Sequence, residues 1–251
     1  MSGHSKWHNI RLRKGKQDAE RGKTFTKLAK EIIMAAKNGG GNPDANNRLR
    51  TAIATARQNS MPADNIKRAI QRGTGEIEGV NYEELSYEGY GPGGVAVMVN
   101  CLTDNKQRTV ADVRAIFNKN GGTLGTTGSV GYLFTPQGVI IIEDGAATED
   151  KLFEVAIEAG AEDVQALDEG GFEVTTAPED LQAVREAIEA AGVPVESAEQ
   201  TMIPSTTVHL EGKEAAQVLR LVDALEDHDD VQNVHANFDI PDEALETAGV
   251  R

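Results

Sequence analysis

The stretch Val139–Thr176, VIIIEDGAATEDKLFEVAIEAGAEDVQALDEGGFEVTT, decides the fold of this chain. Val139–Glu143 is a β-branched run, residues 149–159 carry apolar positions at helical spacing, and 163–167 and 171–176 read as strands. A helix at 179–191 and a strand from 194 complete the order β-α-β-β-α-β, which is that of a ferredoxin-like sandwich.

Outward from this core, Val130–Phe134 and Val139–Glu143 flank Pro136 and Gly138 as the arms of a hairpin would. Downstream come a strand at 206–210, a helix at 213–226 with Ala216, Leu219, Val222 and Leu225 inward, and a strand at 231–238. This second unit needs a partner sheet. Val95–Leu102, followed by a helix over Thr109–Asn118 with Val110, Val113, Ile116 and Phe117 inward and a stop at Gly121-Gly122, supplies one. The fold class expected is therefore α+β and multidomain, an N-terminal three-helix domain followed by two ferredoxin-like α+β domains, one inserted in the other. The boundaries expected are 1–75, then 76–135 plus 205–251 as a discontinuous domain, with 136–204 inserted.

The three N-terminal helices follow from spacing. Phe25, Leu28, Ile32, Ile33 and Ala36 mark the first, with Lys23, Lys27, Lys30 and Lys37 on the side away from the core. A second is expected to begin near Pro43 and to bury Leu49, Ala52, Ile53 and Ala56, leaving Arg50 and Arg57 on one outer face. Pro62 opens a third, anchored by Ile66, Ala69 and Ile70, with Lys67, Arg68 and Arg72 projecting before Gly73 and Gly75.

Charge points to the partner. Residues 1–75 hold 16 Lys and Arg against 5 Asp and Glu, a net +11, whereas the remaining residues hold 9 against 35, a net −26. A solvated helix face is the ordinary meaning of surface Lys and Arg. An excess this large on one short segment instead predicts a polyanion, with nucleic acid the first candidate. The opening run adds Lys6, Arg11, Arg13, Lys14 and Lys16 around Trp7, the only tryptophan. Such an arm neutralises phosphates and offers Trp7 to an unpaired base, where a merely solubilising tail has no use for tryptophan.

Other chemistries find little support. Cys101, the only cysteine, lies in an apolar run, which excludes an intramolecular disulfide and a multi-thiolate metal site. The clusters Gly89–Gly94 and Gly121–Gly128 do not open a helix after a strand, so tight turns explain them better than phosphate cradling. Asp223, Glu226, Asp227, His228, Asp229 and Asp230 gather at a helix end, with His235 beyond, without calcium-loop or zinc-helix spacing. Acid at a helix C-terminus opposes the macrodipole, so contact with a basic partner or with the chain's own basic arm is a plausible use. No nucleophile elbow is present, and no catalysis, cofactor or metal is expected. The longest aliphatic stretch, Val139–Ile142, is too short to span a bilayer, and the start lacks an apolar signal region. A cytoplasmic, monomeric protein is expected.

Gly3-His4-Ser5-Lys6-Trp7, Lys23-Thr24-Phe25, Asn46-Asn47-Arg48-Leu49, Met61-Pro62, Asn65-Ile66, Tyr87-Glu88-Gly89-Tyr90-Gly91-Pro92-Gly93-Gly94, Asn118-Lys119-Asn120-Gly121-Gly122 and Gly128-Ser129-Val130 together resemble the YebC family. Its mitochondrial branch includes a translational activator of cytochrome oxidase. The resemblance implies a helical N-terminal domain, two α+β domains and a cytoplasmic regulator without catalysis. It leaves two roles open. One is a DNA-binding transcriptional regulator whose Lys27, Lys30, Arg50, Arg57, Lys67, Arg68 and Arg72 track duplex phosphates. The other is a ribosome-associated translation factor docked on ribosomal RNA.

Overall fold

The structure is a computed structural model and describes residues 20–167 and 170–241. The described residues divide into two compact units, one holding residues 20–131 with 208–241, the other residues 132–207.

In the first unit, three helices lead: α1 (Glu20–Gly39), α2 (Asn47–Gln58) and α3 (Ala63–Gly73). Their apolar stripes meet in one core of Ile32, Ile33, Ala36, Leu49, Ile53, Ala56, Met61, Ile66 and Ala69. α2 begins at Asn47 rather than near Pro43, because Asn46 is its cap. The Asn46 side chain accepts the Leu49 N–H at 3.1 Å and donates to the carbonyls of Ala35 and Gly40, each at 2.8 Å. That one residue starts α2 and ties it to the end of α1. Gly73 ends α3 against α1, where a Cβ would lie 2.4 Å from the Ile33 carbonyl oxygen, so only glycine permits this approach.

The rest of this unit is an antiparallel sheet with two helices. Its elements are β1 (Glu83–Tyr90), β2 (Ala96–Thr103), α4 (Lys106–Lys119) and β3 (Thr123–Leu124), then β8 (Val208–His209), α7 (Gly212–Glu226), β9 (Val231–Ala236) and β10 (Phe238–Asp239). The order is β3-β1-β2-β9, and β8 and β10 pair as a separate parallel ribbon. Val95, Val97, Val99, Val113, Phe117, Leu219, Leu221, Val222, Leu225, Val234 and Phe238 form one buried core. In α7 it is Ala215 and not Ala216 that is fully buried, because the helix turns Val218, Leu221 and Leu225 inward with it. β1 was not expected from sequence: Glu83-Glu84-Leu85-Ser86-Tyr87-Glu88-Gly89-Tyr90 has poor strand propensity and is held by pairing with β2 along its whole length.

The second unit contains β4 (Phe134–Ile142), α5 (Glu149–Glu158), β5 (Ala161–Ala166), β6 (Phe172–Thr176), α6 (Leu181–Ala190) and β7 (Ser197–Pro204). Its order, β5-β6-β4-β7, with antiparallel neighbours, is ferredoxin-like. Ile140, Ile142, Leu152, Val174, Val184 and Ile188 fill its core. The predicted hairpin around Pro136 is corrected to the single strand β4. Pro136 lies where β4 pairs with β7 alone, and pairing with β6 begins only at Gly138, so the missing N–H can face the open side. No helix among the described residues is long and apolar enough to cross a membrane.

Candidate nucleic-acid interface

The basic residues of the helices sort into two groups once their neighbours are known. The α1 lysines do not form a free outer face. Lys23 donates to the Asp227 carbonyl at 3.4 Å, Lys27 to the Glu226 carbonyl, and Lys30 to the Asp229 carbonyl at 2.9 Å. These carbonyls belong to the last turn of α7 and the residues just after it, where the macrodipole is negative and the backbone acceptors are unpaired. The lysines therefore cap α7 from a distance of about two hundred residues in sequence.

Lys30 goes furthest. It is 7% exposed, and its ammonium lies 2.8 Å from Asp230 Oδ1, with Asp230 itself 3% exposed. The expectation that Lys30 faces outward for phosphates is thus corrected: its partner is an internal carboxylate that helical periodicity cannot reveal. The other oxygen, Asp230 Oδ2, accepts from Arg108 at 2.8 Å, Thr109 at 2.9 Å and Thr103 at 3.2 Å. Burial alone would raise the Asp230 carboxyl, but Arg108, Lys30 and Thr109 hold it well below the usual carboxylate range. His228 supports the same turn, its Nδ1 accepting the Asp230 N–H at 3.1 Å while Nε2 lies 3.3 Å from Asp112. Burial and the nearby Asp230 push the Cys101 thiol up to about 12, which leaves it protonated and inert. Among the described residues, the acidic run at the end of α7 is in this way engaged by the chain's own cations, from α1 and from Arg108 of α4.

Arg48 is likewise engaged, between Glu31 at 2.7 Å and Glu84. Lys37 donates to Asn81 Oδ1 at 2.6 Å. The second group is different. Arg50 and Arg57 are exposed on α2, seven residues apart and so on one face, with Arg50 donating to the Asn47 side chain. Lys67, Arg68 and Arg72 are exposed on α3. Among the described residues none of these five meets a carboxylate. Lys6, Trp7, Arg11, Arg13, Lys14 and Lys16 lie outside the described residues.

The end of the second glycine cluster serves a buried anion of the protein itself. Glu88, 8% exposed, accepts the N–H groups of Gly128 and Val130 at 2.7 Å and of Gly131 at 2.6 Å. Burial would raise this carboxyl, yet the three N–H bonds bring it below its ordinary value. Gly128, at φ +84°, supplies the left-handed turn that lets the loop close on the carboxylate. Sequence reading found the turns but not Glu88, because a glutamate within a glutamate-rich strand gives no sign of being buried.

Comparison with known proteins agrees along nearly the whole chain. Residues 5–76 match the TACO1/YebC protein N-terminal domain, and residues 82–238 match the TACO1/YebC second and third domain. A probable transcriptional regulatory protein of Desulforapulum autotrophicum is 58% identical over 247 residues, covering 98% of this chain and 99% of that protein. One from Geobacter sulfurreducens is 58% identical over 246 residues, with 98% and 99% covered. The crystal structure of a conserved hypothetical protein, Aq1575 from Aquifex aeolicus, superposes with a TM-score of 0.81 at 51% identity over 91% of this chain and 94% of that one. With both parts of the family pattern matched in order, this chain belongs to the TACO1/YebC family.

Proposed function

We propose that this chain is a non-enzymatic regulator of gene expression that binds nucleic acid through the exposed face of α2 and α3, with the basic arm adding phosphate contacts. One observation carries the reading. Lys23, Lys27, Lys30, Arg48 and Arg108 are engaged by acceptors within the protein, whereas Arg57, Lys67, Arg68 and Arg72 meet no carboxylate among the described residues. Cations left facing water on neighbouring helices fit a phosphate backbone, which supplies affinity without sequence readout. The relatives' names as probable transcriptional regulatory proteins support duplex DNA as the polymer. Ribosomal RNA, in the manner of a ribosome-associated translation factor, is the second reading, favoured by Trp7 beside Lys6 on the arm, a residue suited to unpaired bases.

Fluorescence anisotropy of the full chain with a labelled DNA duplex and with a labelled ribosomal RNA hairpin, across a salt series, tests both. Affinity is expected to fall steeply with salt, and the paired change Arg68→Ala with Arg72→Ala should reduce the logarithmic slope on duplex by about 2. A flat salt response, unchanged in the variant, would remove the reading.

A further inference from the structure

From Val113 to Gly131 the chain carries Arg114 and Lys119 but no Asp or Glu, although 35 of the 176 residues after Gly75 are acidic. The fold lays the end of this stretch against Tyr90. Tyr90 pairs with Thr123 across the β1–β3 ladder, and its hydroxyl donates to the Ser129 carbonyl at 2.8 Å. The residue is nevertheless 41% exposed, and Thr123, Gly125, Thr126, Thr127 and Gly128 around it face solvent.

The loop is fixed from beneath. The Glu88 carboxylate takes the N–H of Gly128 and, just beyond the loop, those of Val130 and Gly131, and the Gly125 N–H donates to the Glu88 carbonyl at 2.8 Å. The carboxylate that the sequence places nearest to Tyr90 is thereby turned inward, and the surface presents a ring, hydroxyls and peptide groups without negative charge. On the Pro92 side it ends at Glu214, which approaches Gly93. A partner that gains from this combination has flat apolar rings to stack and anionic groups that a carboxylate would repel. Nucleic acid with unpaired bases has both. A tyrosine already held by its hydroxyl also loses little freedom when a ring is laid on it.

We infer that Tyr90 is a stacking platform for an unpaired base of a single-stranded nucleic acid, whose backbone passes over the acid-free loop 123–128. The inference rests on the proposed nucleic-acid function and adds to it a contact with an unpaired base, separate from the phosphate contacts of α2 and α3.

The full chain carrying Tyr90→Phe and the full chain carrying Tyr90→Leu are compared for binding to a labelled single-stranded RNA, the single-stranded DNA of the same sequence, and the matching DNA duplex. Both variants lose the hydroxyl bond to Ser129, and only Tyr90→Leu loses the aromatic face. Tyr90→Phe is expected to bind the single strands within about twofold of the parent and Tyr90→Leu about tenfold more weakly, with duplex binding alike in all three. A loss confined to the RNA strand assigns the base to RNA, and a loss on both strands assigns it to any unpaired base. Equal binding by the two variants, or an equal loss on duplex, overturns the platform while leaving nucleic-acid binding by the parent intact. Failure of the parent to bind any of the three polymers overturns the proposed function itself.

Discussion

The two α+β sheets have one plan and opposite uses of acid. In the second unit, β5-β6-β4-β7 is entered at a central strand, β4, and followed in order. In the first, β3-β1-β2-β9 has the same arrangement, with α4 joining β2 to β3 and α7 leading into β9. Here, however, the strand in the place of β6 is β1, which comes first in the chain rather than third, so the same sheet is reached by a permuted path. Charge separates them further. Residues 132–207 hold 17 Asp and Glu against 2 Lys and Arg, a net −15 equal to that of the whole protein, so the helices and the first sheet cancel to zero. Asp230 and Glu88 of the first unit are buried and hold elements together, while Glu154, Glu158 and Glu186 of the second lie in water, although Glu173 there is buried too. Similar topology therefore says little about what a carboxylate does; its partners do.

The most severe way to break this comparison is Asp230→Ala, which leaves Lys30 buried without its counter-charge. It should cost about 3–5 kcal/mol in urea unfolding of the full chain. A change below about 1 kcal/mol would mean that the buried pair is not central to the first unit.

Glu88→Ala comes next, because three loop N–H groups lose their acceptor; a loss of about 2–3 kcal/mol is expected from thermal melts. The sign with pH follows from the same sites. Asp230 and Glu88 both have depressed carboxyls, so their stabilisation is complete above the ordinary carboxylate range and is lost as pH falls through and below it. Melting temperature should drop on acidification below about pH 4 in the parent, and less steeply in Glu88→Ala. Equal slopes would show that Glu88 is not ionised in a special environment.

A smaller effect sharpens the division among the cations. Arg57→Ala should reduce the salt slope of duplex binding by about 1, while Lys23→Ala, already engaged at α7, changes it by much less. If the two variants behaved alike, the α7 contacts would not be what separates them. Smallest of all, Glu158→Gln should shift stability by less than about 0.5 kcal/mol, since an exposed carboxylate in an acidic surface loses as much repulsion as attraction. A cost comparable with that of Asp230→Ala would erase the contrast between the units.

Periodicity gave the helices because burial repeats locally: Leu49, Ala52, Ile53 and Ala56 in α2, and Val113 and Phe117 in α4, occupy the stripes their spacing implies. It failed where the cause lay far along the chain. β1 reads as a polar, glycine-containing loop until β2 is there to pair with it, and Pro136 imitates a turn because its freedom from a second neighbour depends on where β6 ends. The exposed arginines of α2 and α3 were legible, since facing water is the default for their type. Lys30 was not, because the periodicity of one helix carries no information about a carboxylate two hundred residues away.

That separation also bears on how the molecule is made. Val97 in β2 pairs with Ala236 in β9, a gap of 139 residues, so at ordinary synthesis rates roughly 10–30 s pass between the emergence of one partner and the other. The contiguous stretch 132–207 emerges whole within that interval and can close its own sheet first. Until β9 arrives, the inner edge of β2 stays open and Lys30 has no carboxylate to meet. Residues 1–131 carry a net +8, which the net −15 of residues 132–207 outweighs as the second unit emerges, so the nascent chain's positive charge is balanced midway while Lys30 itself waits for its own carboxylate until the last strands appear.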